Sequence, residues 1–299
     1  MSLQKSLQHA ADSFEETLRA WFVACHSYLS HVPIDKYAPT VAVPLPDLEA
    51  CRRCPQGLPI PPDHLLQKFS EDVFLASGSR DVETMLGVLS EQTVPLCAGE
   101  RILDFGCSSG RMIRWLYPFA DSCEIWGVDV NANNLMWCRN HLSPPFKFSC
   151  STRLPHLPFE DRHFNFIYAG SVFTHIDELY DTWLLELRRI LAPGGRLYLT
   201  FHDNHTVQAL KDEYPEHWFH DCMRGSQMLA DKFDEYAAGD FAMFSILRSN
   251  APHLNLETTP NVYFDREYLL RLLSTFFEVR AVKENAYGYQ TAVLLIRPE

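Results

Sequence analysis

The sequence is poor in positive charge: 26 Lys and Arg stand against 38 Asp and Glu, for a formal charge of −12. No basic run exceeds the pair Arg188-Arg189. Sequence-independent phosphate binding needs clustered Lys and Arg, so nucleic acid is not an expected partner. Long apolar runs are also missing. None approaches the roughly 18 residues of a membrane span, and the opening MSLQKSLQHAADSFEETLRAWF mixes acids and amides with its apolar residues, unlike a signal peptide. The nine cysteines are odd in number and lack the spacings of a disulfide framework, which reads as reduced thiols in the cytoplasm. Cys51 and Cys54 form a CxxC pair, but no second CxxC or HxxxH supplies the other two ligands of a closed zinc site, and only His26 and His31 lie near in sequence. Two reduced thiols and no metal is the expectation.

What is present is an ordinary globular composition, 46% hydrophobic and 21% charged over 299 residues, enough for a substantial core. Residues 3–30 carry Leu7, Leu18, Trp21, Phe22 and Ala24 among polar residues, consistent with an amphipathic helix. An arm then follows in which Pro33, Pro39, Pro44, Pro46, Pro55, Pro59, Pro61 and Pro62 preclude long helices and central strands. Residues 1–79 are therefore expected to be a helix and a proline-rich arm, set apart from a main domain over 80–299.

From Arg80 the pattern alternates. A helix around Asp81 to Ser90 precedes a strand at Arg101 to Phe105 and a helix from about Gly110 to Phe119. The strand CEIWGVD, the helix NANNLMWCRNHL and the short strand FKFSC follow. Next come the strand FNFIYAG, a helix through YDTWLLELRRILA, the turn Pro193-Gly194-Gly195 and the strand RLYLTFH. Such alternation predicts a mostly parallel sheet with helices on both faces. FFEVRAV and TAVLLIR lie too close together for a helical crossover and should pair antiparallel. Residues 203–262 interrupt the alternation, and a structureless loop of that length is uncommon, so a lid with its own helices is expected there.

The stretch RILDFGCSSGR delivers Asp104 into a glycine-framed turn at a helix entrance, where ligands bind in open parallel sheets. Gly106 permits the turn and Gly110 relieves crowding between helix and strand. The spacing is GxxxG, with Ser108 where many nucleotide loops have glycine. The next strand ends in Asp129, placed to accept hydrogen bonds from ribose hydroxyls, which suggests an adenosine-type ligand. A carboxylate at Asp104 would repel a pyrophosphate and attract an ammonium group, so an amino-acid nucleoside is favoured over a dinucleotide.

On these residues the chain resembles the class I S-adenosylmethionine-dependent methyltransferases. LDFGCSSGR is similar to the family's first motif, WGVD to its ribose-binding strand, LPFEDRHFNFIYAGSVFTH to its fourth-strand motif and LRRILAPGGRLYLT to its fifth, all in order over about Arg80 to Phe201. Ser108 departs from a usual glycine and Asn165 from a usual acid. The resemblance implies a Rossmann-like α/β fold: a seven-stranded, mostly parallel sheet with helices on both faces and a C-terminal antiparallel hairpin, here with a helical lid and the N-terminal helix and arm added. It also implies S-adenosyl-L-methionine as cofactor. Asp104 and Gly106 would meet its methionyl part with backbone at Cys107, Ser108 and Gly110. Asp129 would hold the ribose with Val130 and Asn131 beside it. The end of the third strand, around Ser151, would face adenine, and Ala169 to Ser171 would lie under the sulfonium.

Two histidines are candidates for proton removal. His202 ends the fifth strand beside Asp203 and His205, a titratable cluster at a strand's carboxyl end; its bland alternative is a lid hinge. His175 follows the fourth strand and could equally brace the next helix. The lid aromatics Tyr214, Trp218, Phe219, Phe233, Tyr236, Phe241 and Phe244 read first as lid core. The expected function is methyl transfer to an oxygen or nitrogen of a small-molecule acceptor. The alternatives are a protein or glycan methyltransferase that grips its partner with the arm, and a non-catalytic cofactor-binding scaffold.

Overall fold

The computed structural model describes residues 53–54, 57–67, 69–251 and 256–299, without side chains for 247–259. The expected helix at 3–30, most of the proline-rich arm and Cys51, His26 and His31 lie outside the described residues. Those described all belong to one unit, Ala50–Glu299.

Five strands carry the parallel part of the sheet: β1 (Arg101–Phe105), β2 (Glu124–Asp129), β3 (Lys147–Cys150), β4 (Phe164–Ala169) and β5 (Leu191–Phe201). With β8 (Glu278–Tyr287) and β9 (Gln290–Ile296) they form a seven-stranded sheet in the order β3-β2-β1-β4-β5-β9-β8. β9 runs antiparallel to both β5 and β8, so the C-terminal hairpin is as expected. The strand order reverses between β1 and β4, and this reversal opens a crevice at their carboxyl ends. Central strands are apolar on both faces because helices cover both, as Phe166, Ile167, Tyr168 and Ala169 show: all are fully buried.

The helices are α1 (Glu71–Glu91), α2 (Ala132–His141), α3 (Tyr180–Ile190), α4 (Asn204–Asp212), α5 (Trp218–Gly225), α6 (Gln227–Ala237) and α7 (Arg266–Phe276). α1 starts ten residues before the sequence reading placed it, capped by Ser70, whose hydroxyl accepts from the Val73 N–H. The expected boundary at residue 80 therefore falls inside a helix. Residues before it also join the core: Cys54, Leu58, Ile60 and Leu66 pack with Phe74, Val82 and Met85 of α1. Arg114 pins them there. Its guanidinium, fully buried, donates to the Gly110 carbonyl and the Pro59 carbonyl, both at 2.9 Å, and lies over the rings of Phe74 and Trp137.

Two further departures have local causes. The helix expected from Gly110 to Phe119 is a tight 3₁₀ run, Ile113–Phe119, with Pro118 inside it, where a proline cannot donate to the ladder. The insertion after β5 is not wholly helical: α4, α5 and α6 are joined by an antiparallel pair, β6 (Met243–Ala251) and β7 (Leu256–Phe264). Its own small core gathers Val207, Leu210, Phe219, Phe233, Tyr236, Ile246 and Tyr263.

Packing of α1 on the loop after β1 is tightest at Gly78. An added Cβ would collide with the Arg111 carbonyl and come within 2.9 Å of Trp115 Nε1, whereas at Gly87 it would meet nothing within 4 Å. Gly78→Ala is expected to lower unfolding stability by about 1–3 kcal/mol through overpacking. Gly87→Ala is expected to raise it by about 0.5–1 kcal/mol through helix entropy. Urea titrations of the two variants read both values, and a neutral Gly78→Ala would contradict the contact.

Candidate active site

The turn after β1 is built from three left-handed residues. Gly106 sits at φ +85°, and a side chain there would strike Val172; Gly110 sits at φ +80°, with an added Cβ 2.6 Å from Leu142 Cδ1. Between them Ser108 takes φ +48°, a conformation that costs a non-glycine residue about 1–2 kcal/mol. Its hydrogen bonds offset that cost. The Ser108 hydroxyl accepts from Asn134 Nδ2 at 3.0 Å and from Gln67 Nε2, and its N–H donates to Asp129 Oδ2 at 2.8 Å. Asp129 Oδ1 accepts from the Asn131 N–H at 2.7 Å, and Asn131 in turn caps α2 through its side-chain oxygen. One carboxylate thus ties the turn after β1 to the turn after β2.

Beyond these strand ends lies a cavity of about 790 Å³, within the usual range of small-molecule sites. Its wall brings together Asp104, Gly106, Cys107, Ser108, Asp129, Val130, Ser151, Ser171 and His175. Gly110, Asn131, Ala169 and His202 are not in that wall. Gly110 packs behind the turn, Asn131 caps its helix, and Ala169 is buried in β4. Sequence reasoning missed Ser77, Arg80 and Asp81 of α1, Arg111, and the stretch Tyr287–Gln290 at the β8–β9 turn, all of which line the cavity. Arg111 follows the glycine turn directly and Asp81 interrupts an apolar helix face, so both left a signal; Tyr287 reaches the site only through tertiary packing.

Asp104 is 2% exposed and its Oδ2 has no hydrogen-bond partner among the described residues. Burial lifts its pKa from 3.8 to about 7, while Tyr168 and the Arg111 charge pull the other way. Burial likewise raises the Asp129 carboxyl, opposed by the backbone N–H groups it accepts from. The Cys107 thiol is pushed well up by burial, which leaves it inert as a nucleophile.

The two histidines separate. His175 Nδ1 lies 2.8 Å from the Pro260 carbonyl, and since a carbonyl only accepts, neutral His175 carries its proton on Nδ1 and its lone pair on Nε2. His202 is 4% exposed and stacks on Tyr263 with centroids 4.9 Å apart. Burial first, then the neighbouring His175 charge, presses its pKa down to about 3. The imidazole is neutral at ordinary pH and too weakly basic to take up a proton. Asp203 and His205 are also engaged elsewhere, Asp203 in capping α4 and pairing with Arg266 at 2.6 Å, His205 with Glu284 and Asn285. The sequence cluster at the end of β5 is a joint between the sheet and the insertion.

A ring of hydrogen bonds stiffens the cavity floor: Ser171 N–H to Thr200 Oγ1 (2.7 Å), Thr200 Oγ1 to Gln290 Oε1 (2.7 Å) and Gln290 Nε2 to Ser171 Oγ (2.8 Å). Of the insertion's described residues, only Pro260 lines the cavity. The aromatics Phe219, Phe233 and Tyr236 form the insertion's core instead.

Residues 103–199 match the family described as a methyltransferase domain. That match runs from β1 into β5, about a third of the chain, and over this stretch the sequence is similar to S-adenosylmethionine-dependent methyltransferases. It is 24% identical over 147 residues to the fatty-acid O-methyltransferase of Mycolicibacterium smegmatis, covering 49% of this chain and 48% of that protein. It is 29% identical over 133 residues to methyltransferase GfsG of Streptomyces halstedii, covering 43% and 45%. The chain thus spans about half the length of each. The PH0226 protein of Pyrococcus horikoshii OT3 shares the fold, with a TM-score of 0.51 and 16% identity over 80% of this chain and 97% of that one. Among the described residues no helix is long and apolar enough to cross a membrane, and no cluster of three or more His, Cys, Asp or Glu could hold a metal.

The site suits the methyltransferase cofactor on its own chemistry. The unpartnered Asp104 oxygen is placed to accept from an ammonium group. Asp129 accepts from the Ser108 N–H with one oxygen and the Asn131 N–H with the other, and a carboxylate has further lone pairs with which to accept from a hydroxyl.

A pH dependence follows. The folded chain holds the Asp104 proton more tightly than the unfolded one, so this group favours folding at low pH and the benefit is lost as pH rises through about 7. An ammonium ligand needs the ionised form. S-adenosylhomocysteine affinity is therefore expected to rise with pH by up to about tenfold per unit below the Asp104 pKa and to level off above it. Calorimetry from pH 5.5 to 8 measures this, and Asp104→Asn should both weaken binding and flatten the slope. A flat wild-type profile would contradict the assignment.

Proposed function

We propose that the chain transfers a methyl group from S-adenosyl-L-methionine to an oxygen or nitrogen of a small-molecule acceptor. The observation that carries this reading is a single cavity in which Asp104 and Asp129, at adjacent strand ends, share a wall with His175. Asp104 and Gly106 would meet the amino-acid end of the cofactor, Asp129 the ribose with Val130 beside it, and Ser151 the adenine side. Ser171, at φ +58° and locked by Thr200 and Gln290, would border the sulfonium.

The cofactor supplies a methyl group on a positively charged sulfur. The protein's part is to hold the acceptor in line with it, which can supply about 7–11 kcal/mol of the barrier. Where the acceptor is a hydroxyl, His175 Nε2 takes its proton, with Nδ1 fixed by Pro260. The acceptor side of the wall offers Ile176, Leu179, Trp183 and Pro260, with Phe69 and Val73 contributed by the segment around the start of α1. This lining favours an apolar body with one reactive polar group, in keeping with a relative named for fatty acids.

The test is to incubate the chain with methyl-labelled cofactor and a panel of alkyl carboxylic acids, alcohols and amines. Label should appear in a low-mass, solvent-extractable product; label retained on protein or glycan would overturn the small-molecule reading. With an active acceptor, His175→Ala should lower kcat by about 10²–10⁴-fold and leave S-adenosylhomocysteine affinity unchanged. His202→Phe, which keeps the stack on Tyr263, should keep turnover. The reverse outcome would return the base to His202.

A further inference from the structure

The charges around the cavity do not balance. Among the described residues three arginines and five carboxylates line it. Two of the arginines are committed to one acid: Arg111 pairs with Asp81 at 2.8 Å, and Arg80 lies 3.5 Å from the same carboxylate. The third, Arg153, follows Ser151 on the loop after β3, on the adenine side of the reading above. Asp104 and Asp129 belong to the cofactor in that reading. Two acids are left over, Asp177 and Glu178, two and three residues past His175 on the connection from β4 to α3. Neither forms an ion pair among the described residues. Asp177 Oδ2 accepts from Ser245 Oγ of β6 at 3.1 Å, and Glu178 is exposed.

That a ligand belongs in this cavity has separate support, since Asp104, 2% exposed, leaves Oδ2 unpartnered in the same wall. The leftover acids bear on the second ligand, the acceptor. A carboxylate brought to His175 would meet two negative groups and no free arginine, whereas an ammonium would be drawn to both. Trp183 and Tyr289 also line the cavity, and the face of such a ring attracts a cation. The acids further offset the repulsion that a cationic acceptor would feel from a sulfonium held nearby.

We propose that the acceptor is an amine, carried as its ammonium on an apolar body, and that Asp177 and Glu178 select it over carboxylic acids. The proposal rests on the function proposed above and narrows its nucleophile to nitrogen. His175 Nε2 takes one proton from the ammonium. The freed nitrogen lone pair then takes the methyl group, a C–N bond replacing the C–S bond whose electron pair stays with sulfur. The product is a methylammonium of the same charge as the ammonium that entered, and His175, which is exposed, passes its proton to water. The same two acids therefore suit the acceptor before and after transfer. Both lie within reach of water, so screening holds the expected selectivity to about tenfold and not thousands.

The test is calorimetric, on the chain saturated with S-adenosylhomocysteine, with octylamine, octanol and octanoate as matched probes at neutral pH and about 0.15 M salt. Octylamine should bind at least about tenfold tighter than octanoate, with octanol between them. In the double variant Asp177→Asn, Glu178→Gln the preference should shrink to within about threefold, while affinity for octanol and for S-adenosylhomocysteine stays within about twofold. Asp231→Asn with Asp234→Asn removes the same charge from exposed positions of α6 outside the cavity wall and should leave the preference intact. Octanol or octanoate binding as tightly as octylamine would overturn the proposal, and this ranking decides even if a variant does not fold. A preference that survives in the first double variant, or falls equally in the second, would overturn it too. So would a chain that binds S-adenosylhomocysteine and none of the three probes. A chain that does not bind S-adenosylhomocysteine would instead remove the methyltransferase reading itself.

Discussion

The Asp129 carboxylate is the constraint on which the site depends. By accepting from Ser108 N–H with one oxygen and Asn131 N–H with the other, it fixes the turns after two adjacent strands relative to each other. Each is a hydrogen bond to a charged acceptor, worth about 1.5–3 kcal/mol. The fixed turns in turn set where Asp104 points, where α2 begins and how closely Val172 can approach Gly106. Ser108 shows how the chain manages a side chain where glycine is usual: the backbone strain is met by polar contacts to Asn134 and Gln67, so the loop is braced by α2 and by the segment before α1.

Much of this was readable in the sequence because it is written in local patterns. Short, nearly continuous apolar runs mark β1, β2, β4 and β5, and the acid at the end of β1 falls where the order of strands reverses. The proximity of FFEVRAV and TAVLLIR decided their antiparallel pairing, since no helix fits between them. Asn165, where the family commonly has an acid, makes a strand-entry contact: its Oδ1 accepts from the Arg101 N–H and joins the starts of β4 and β1.

What could not be read depends on contacts between distant segments. His202 and His175 look equivalent as letters, each just beyond a strand. The difference between them comes from Tyr263 and Pro260, neighbours in β7 that lie far along the chain: one ring buries His202, and one carbonyl orients His175. Similarly, the role of residues 53–66 follows from Arg114, a cation whose burial no helical periodicity announces, and which finds its acceptor at Pro59. The strand pair β6 and β7 was missed because the aromatic residues around it suit a helix face as well as a strand.

The bond from His175 Nδ1 to Pro260 also bears on how such an enzyme can diversify. Here the insertion also contributes the main-chain oxygen that decides which imidazole nitrogen carries the proton. Exchanging it for another segment would change the cavity wall and the protonation pattern of His175 together, so on the function proposed above the insertion would belong to the chemistry and would not be an interchangeable cover.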